Sequence, residues 1–367
     1  MKVAYLSSFL ENSGYSHAAT EYCLALDTVG IDVVTRDIPM MPPKGVVHPK
    51  IQEMFKKNLD NVDVVIQHNL PSQFSYKGGV KNVGMFAYET DSFPNTTWKY
   101  HLELMDQNIV FCHSQLEAVG QECNVGTYKN TAVIPHALDT DKFIKEQGTI
   151  NFGLPLNTVK FYTIADWGKR KDFAALFLGY FTALSADDNV VLVVKTTGRH
   201  QAVKDMIEDI KTGCKRFANN NRYPKVVLMT DWMTEDEISA IHNSCNVFVS
   251  TSHGEAFCIP AVEARGFGNF TLVPNHTAFK DYLPAQTMIE CVKSPVFGVT
   301  NSPEDLYTSN ERWYNVMTDD LVLKMRYVYE NFERFNSPEV KRQRKEYVID
   351  QFSRENVGRQ LVEVLCS

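Results

Sequence analysis

Short apolar runs return along this chain at intervals that leave room for one amphipathic helix between many of them. In the first half the strand candidates are Val3 to Leu6, Asp32 to Thr35, Val62 to Gln67, Asn82 to Tyr88, Asn108 to Cys112 and Thr131 to Ile134. Stretches with helical spacing, such as Ser16 to Val29 and Thr97 to Asp106, lie between them. Strands and helices alternating in this rhythm imply parallel sheets buried on both faces, hence an α/β layered fold.

A polar, glycine-containing stretch, Lys145 to Asn157, interrupts the series, which then resumes. Its second set of strands is Val159 to Ala165, Asn189 to Lys195, Lys225 to Met229, Asn246 to Ser250, Phe270 to Val273 and Thr287 to Glu290. The helices between them are Asp172 to Leu184, Gln201 to Phe217, Glu235 to Asn243 and Pro260 to Phe267. At 367 residues the chain exceeds what one core usually supports. The expectation is two doubly wound, Rossmann-like domains, 1–145 and 146–335, with a functional cleft between them. Helical segments at Asp319 to Phe335 and Pro338 to Cys366 would pack across both, residues 336–367 forming the tail.

Several classes are disfavoured. Apolar runs such as Val190 to Val194 fall far short of the ~20 residues of a membrane helix. The first residues read as a strand rather than a signal peptide. The eight cysteines are scattered without C-x-x-C spacing, which fits a reduced cytoplasm better than a disulfide framework. A net charge of -7 argues against a whole surface built for polyanions. A local basic group, Lys44, Lys50, Lys56, Lys57, Lys77 and Lys81, reads either as a solvated surface or as a seat for a phosphate-bearing acceptor. The histidines show no metal-ligand spacing, so no metal or other cofactor is expected.

The most informative stretch is STSHGEAFCIPAVEARGFG, Ser250 to Gly268. It follows a strand candidate, carries Glu255 in a loop, and places Pro260 at a helix start with Glu263 about one turn inside. A helix start at the carboxyl end of a parallel strand favours a phosphate, and carboxylates on either side of it accept hydrogen bonds from sugar hydroxyls. A sugar joined to a nucleotide through a diphosphate has that shape. The alternative is that both glutamates face water.

Ser250 to Ala264 resembles the E-x7-E signature of retaining GT-B glycosyltransferases, the group that includes glycogen synthase and sucrose synthase. IPHALDTDKF, Ile134 to Phe143, is similar to that family's crossover segment, and Gly14 to Ser16 match the glycine loop after its first strand. MFAYETDSFPNTTW occupies the place of the family's residue facing acceptor and transferred sugar. The resemblance implies that Glu255 contacts the donor sugar and Glu263 the ribose. Lys171 would face the diphosphate, and His253, Ala256, Phe257, Cys258 and Ile259 would line the donor. Glu89 is the favoured catalytic or sugar-facing residue of the first domain, and Gly14 would allow close backbone approach.

The chain departs from the pattern where glycines give way to Ala256 and Cys258, and where Asp166 stands in place of an arginine. The missing cation would be Lys169, Arg170 or Lys195. Asp139 and Asp141 form a D-x-D that reads better as a turn and helix cap than as a metal site. His68, His113 and His136 follow apolar runs and are either cleft residues or satisfied loop histidines; Asp91 shares that ambiguity with Glu89.

The expected activity is therefore metal-independent transfer of a sugar, from a UDP-sugar, to a hydroxyl acceptor. The overall look of the chain is similar to viral family members, some of which glycosylate hydroxymethylated bases of DNA, so modified DNA stands beside a saccharide, lipid or protein as acceptor. Two other readings fit the same residues: a nucleotide-sugar epimerase of this fold, and a non-catalytic sugar-nucleotide binding protein.

Overall fold

A computed structural model describes residues 1–11, 13–40, 42, 45–94, 96–214, 222–299 and 306–367. They form two compact units: residues 1–140, 300–312 and 349–367 in the first, and 141–299 and 313–348 in the second.

The first unit holds six strands, β1 (Lys2–Ser7), β2 (Asp32–Asp37), β3 (Val64–His68), β4 (Lys81–Met85), β5 (Gln107–Val110) and β6 (Thr131–Val133). They pair in parallel in the order β2-β1-β3-β4-β5-β6. Helix Gly14–Thr28 returns the chain from β1 to β2, and Ser13 caps it by accepting from the Ser16 N–H at 3.2 Å. The C-terminal helix Arg354–Cys366 packs against it so closely that a Cβ on Gly358 would lie 2.5 Å from the Ala25 carbonyl oxygen. Backbone cannot retreat as a side-chain tip can, so Gly358→Ala is expected to cost about 2–3 kcal/mol in chemical unfolding.

The second unit carries β7 (Val159–Ile164), β8 (Val190–Lys195), β9 (Lys225–Met229), β10 (Val247–Val249), β11 (Phe270–Pro274) and β12 (Met288–Ile289). Their order is β12-β11-β10-β7-β8-β9, and β13 (Cys291–Pro295) with β14 (Arg312–Val316) makes a separate two-stranded sheet. Every residue of β8 is buried, as expected of a central parallel strand with helices on both faces. Leu192 and Val194 pack with Phe161, Phe177 and Tyr180, whose helix, Phe173–Ala183, covers one side of the sheet.

The strand pattern of the sequence is recovered to within a few residues, and the tail is helical, with breaks that the sequence reading did not place. Asp319 to Phe335, expected to be helical, breaks at Asn331 into Thr318–Glu330 and Phe332–Phe335. Pro338 to Cys366 breaks at Ser353, whose hydroxyl accepts from the Asn356 N–H at 3.3 Å and so begins a new helix. The helix expected over Gln201 to Phe217 runs from His200 to Cys214; Phe217 lies outside the described residues.

Lys44 also lies outside them. Of the remaining lysines in that group, Lys50 pairs with Asp27, Lys57 pairs with Asp32 at 2.7 Å, and Lys81 donates to the Val364 carbonyl at 3.0 Å. Among the described residues no helix is long and apolar enough to cross a membrane, and the eight cysteines form no disulfide.

Candidate active site

In the second unit β10 lies between β11 and β7, so the loops after β10 and β7 emerge side by side. Hydrogen bonds lace them together. The His253 N–H donates to the Arg170 carbonyl at 2.7 Å, and the Thr251 hydroxyl donates to the Asp172 carbonyl at 2.8 Å. The Ser252 hydroxyl donates to the Arg170 carbonyl at 3.2 Å. This lacing draws the short turn Lys169–Lys171 over the Glu255 carboxylate. Lys171 Nζ lies 2.5 Å from Glu255 Oε1 and Arg170 Nη1 lies 3.0 Å from Oε2. Arg170 also donates to the Gly254 carbonyl at 2.6 Å.

Glu255 is only 5% exposed, so it is not a solvated loop acid. Burial works against its ionisation, but the charges of Lys171 and Arg170 and a hydrogen bond from Lys171 outweigh it and bring the carboxyl down to about 2. A group depressed from 4.5 to about 2 stabilises the fold fully above the higher value, and that contribution fades as pH falls towards the lower one. Urea unfolding of the wild type should therefore show stability falling between about pH 5 and pH 2, with a component missing from Glu255→Gln.

A buried relay positions the backbone of Glu255. Its N–H donates to Thr277 Oγ1 at 3.1 Å, the Thr277 hydroxyl faces His276 Nδ1 at 2.9 Å, and His276 Nε2 lies 2.9 Å from the Ser252 carbonyl. Since a carbonyl only accepts, Nε2 carries the proton and Nδ1 accepts from Thr277. Burial holds His276 down to about 3, so the neutral ring that this relay needs is the form present.

Glu263 is 3% exposed and sits one turn inside the helix Ile259–Gly266. Its carboxylate is ion-paired with Lys142, and His242 Nε2 stands 3.6 Å away. The His242 ring stacks on Phe267 and its Nδ1 faces the Tyr162 hydroxyl at 2.8 Å. Lys142 belongs to the IPHALDTDKF segment, yet sequence reasoning did not single it out, because its partner lies 121 residues away. Ser252, His276 and Thr277 were missed likewise, since polar side chains that serve as struts carry no local pattern.

The other expected residues divide. His253 is buried, with Nδ1 facing the Tyr314 carbonyl at 2.9 Å and its ring stacked on Trp313 at 4.2 Å. Burial lowers its pKa, which disfavours the charged ring. Ala256 and Phe257 are buried, Phe257 against Tyr282 at 5.0 Å. Cys258 adopts φ +66°, the left-handed conformation in which glycine is unstrained. Burial pushes its thiol up to about 12, so it is no nucleophile at neutral pH. Ile259 opens the helix, followed by Pro260.

Lys169 is exposed and lines a cavity of about 810 Å³ together with Asp172, His253, Leu178, Phe297 and Trp313. Glu255, Lys171 and Glu263 are not in that lining, so this cavity is not where the charged groups converge.

In the first unit Glu89 is half-buried and accepts from the Tyr307 hydroxyl at 3.0 Å. Asp91 accepts from the Arg312 N–H at 2.8 Å. Gly14 begins its helix with open space where a Cβ would stand, and the cap is Ser13 rather than Gly14. His68 ends β3 in an aromatic nest, 2.9 Å from the Tyr5 hydroxyl and 5.2 Å from the Tyr15 ring, and burial brings it down to about 3. His136 is also buried, 4.2 Å from the Phe111 ring, while His113 opens the helix His113–Glu122. Asp141 pairs with Lys145 at 3.7 Å beside the short turn Thr140–Phe143.

No protein-family model matches this chain, and no curated protein matches it in sequence. Solved structures do match in fold. Sucrose-phosphate synthase from Thermosynechococcus elongatus superposes with a TM-score of 0.65 at 13% identity, over 99% of this chain and 98% of that one. HepE from Anabaena, solved in complex with UDP-glucose, gives 0.59 at 13% identity, over 100% and 99%. TarM of S. aureus gives 0.56 at 14% identity over 83% of this chain, which spans 55% of TarM's length. The architecture is thus that of the GT-B glycosyltransferases: two α/β units, each built on a six-stranded parallel sheet.

Proposed function

We propose that the protein is a retaining glycosyltransferase that moves a sugar from a nucleotide donor, a UDP-sugar, to a hydroxyl acceptor. The observation that carries this reading is the buried carboxylate of Glu255 held between Lys171 and Arg170 where parallel strands end. Glu255 stays ionised near neutral pH, so it acts as an acceptor for sugar hydroxyls rather than as a proton donor.

As the glycosidic bond breaks, the nucleoside diphosphate gains negative charge. Arg170 and Lys171 bring two positive charges against the one of Glu255, and the surplus is available to that leaving group. This supports catalysis without a metal. Arg170 takes the part that Asp166 cannot, and Glu263 accepts from the ribose once Lys142 shares it. Glu89 is assigned to the acceptor side, and the acceptor is a saccharide. DNA bearing hydroxymethylated bases is a minor alternative, because two lysines of the basic group are already paired with carboxylates.

The test is to incubate the pure protein with common nucleotide sugars in the presence of a chelator and follow products by chromatography and mass spectrometry. Release of nucleoside diphosphate from one donor is expected, faster when the right acceptor is added. Conversion of the donor to an isomer of equal mass would make the protein an epimerase, and binding without turnover would make it a binding protein.

A further inference from the structure

Lys195 closes β8 on the side where the loops carrying Arg170, Lys171 and Glu255 begin. It is paired in register with Ile164 of β7 on one side and Met229 of β9 on the other. Only 5% of it is exposed, yet among the described residues its ammonium has a single hydrogen-bond acceptor, the Thr196 carbonyl at 2.9 Å. An ammonium carries three protons, so among the described residues two have no protein acceptor. Next to it the Thr196 hydroxyl is 1% exposed and also lacks a partner among the described residues.

Burying an incompletely bonded charge is costly unless something else meets it. Burial pulls the Lys195 pKa down, while the more distant carboxylates Asp166 and Asp231 hold it up; neither forms an ion pair with it among the described residues. The turn that follows is strained. Gly198 and Arg199 both take positive φ, +63° and +60°, and Arg199 does so without glycine's freedom. Such outliers persist where the surrounding structure holds them, often beside ligands.

We propose that Lys195 and the Thr196 hydroxyl form an anion subsite that binds a phosphate of the nucleotide donor. The subsite rests on the donor reading above and adds a cation from β8 to those of the β7 loop. With Asp166 at the end of β7, positive charge is supplied one strand further along the sheet. The Lys195 ammonium donates to phosphate oxygens with the protons left over from Thr196, and the Thr196 hydroxyl donates a further bond. Lys195 is a binding residue here and takes no proton in the reaction.

Calorimetric titration of the full-length protein with UDP, UMP, uridine and inorganic pyrophosphate tests this. Lys195→Met is expected to weaken UDP binding by about 10-fold or more, to weaken pyrophosphate similarly, and to leave uridine unchanged. Lys195→Arg should restore most of the loss, and Thr196→Val should lose a smaller part of it. A Lys195→Met protein that is folded by circular dichroism and binds UDP as tightly as the wild type overturns the subsite. So does an equal loss for UDP and uridine, which marks a structural ammonium. If wild-type protein binds pyrophosphate through Lys195 but no nucleotide, the subsite stands and the nucleotide-donor reading falls.

Discussion

Glutamine at position 255 is expected to lower the rate of the proposed sugar transfer by about 10²–10³-fold while nucleotide still binds. The side chains differ by one oxygen and one charge, so the fold and the shape of the loop should persist. What is lost is an acceptor that keeps its charge near neutral pH, together with the countercharge that fixes Lys171 and Arg170. An amide carries no charge and accepts only at its oxygen, so the arrangement in which each carboxylate oxygen meets its own cation is lost.

Stability should fall as well. Breaking a buried ion pair by removing one partner typically costs about 3–5 kcal/mol. Lys171 and Arg170 are 21% and 27% exposed at their side chains, so water recovers part of that, and about 2–3 kcal/mol is expected. In a unit of this size that corresponds to a fall of roughly 4–12 °C in Tm. Transfer rates with saturating donor and thermal unfolding would be measured together. Full activity in a stable Glu255→Gln protein would remove Glu255 from the mechanism.

Lys142→Met should have a still larger effect on the fold. Glu263 is 4% exposed at its side chain and Lys142 14%, so neither loss is relieved by water. Removing the ammonium leaves a buried carboxylate without its cation, beside a His242 whose charged form burial disfavours, at a cost of about 3–5 kcal/mol. Adding Glu263→Gln should return part of that, and the double-mutant cycle gives the coupling directly.

The same variants separate a structural pair from a nucleotide site. A ligand that binds only the folded protein stabilises it by about 2.7 kcal/mol at 100 times its Kd. If Glu263 accepts from the ribose, saturating UDP should raise the Tm of Lys142→Met at least as much as that of wild type. The rise should shrink in Glu263→Gln. Equal shifts in all three proteins would leave Glu263 a purely structural acid.

Much of the candidate site was legible in the chain. Glu255 and Glu263 stood out because a strand, a loop and a proline-led helix start fix their places locally. Lys169, Arg170 and Lys171 stood out as a basic run after another strand. Their division of labour was not legible: Arg170 and Lys171 converge on Glu255, whereas Lys169 turns towards an apolar cavity. His253 was expected to line the donor beside Glu255, and its stacking on Trp313, 60 positions later, was not legible.

What the sequence determined by itself is the pair of parallel sheets, because burial on both faces writes an apolar run into every strand and a helical period between them. The strand order, the two-stranded sheet of β13 and β14, and the breaks at Asn331 and Ser353 were settled by packing and capping. Only the tertiary structure decided which charges meet. Lys142 with Glu263 and Lys171 with Glu255 depend on which strands become neighbours. A buried charge is selected by the field of groups remote in sequence, and that field exists only once the sheet has formed.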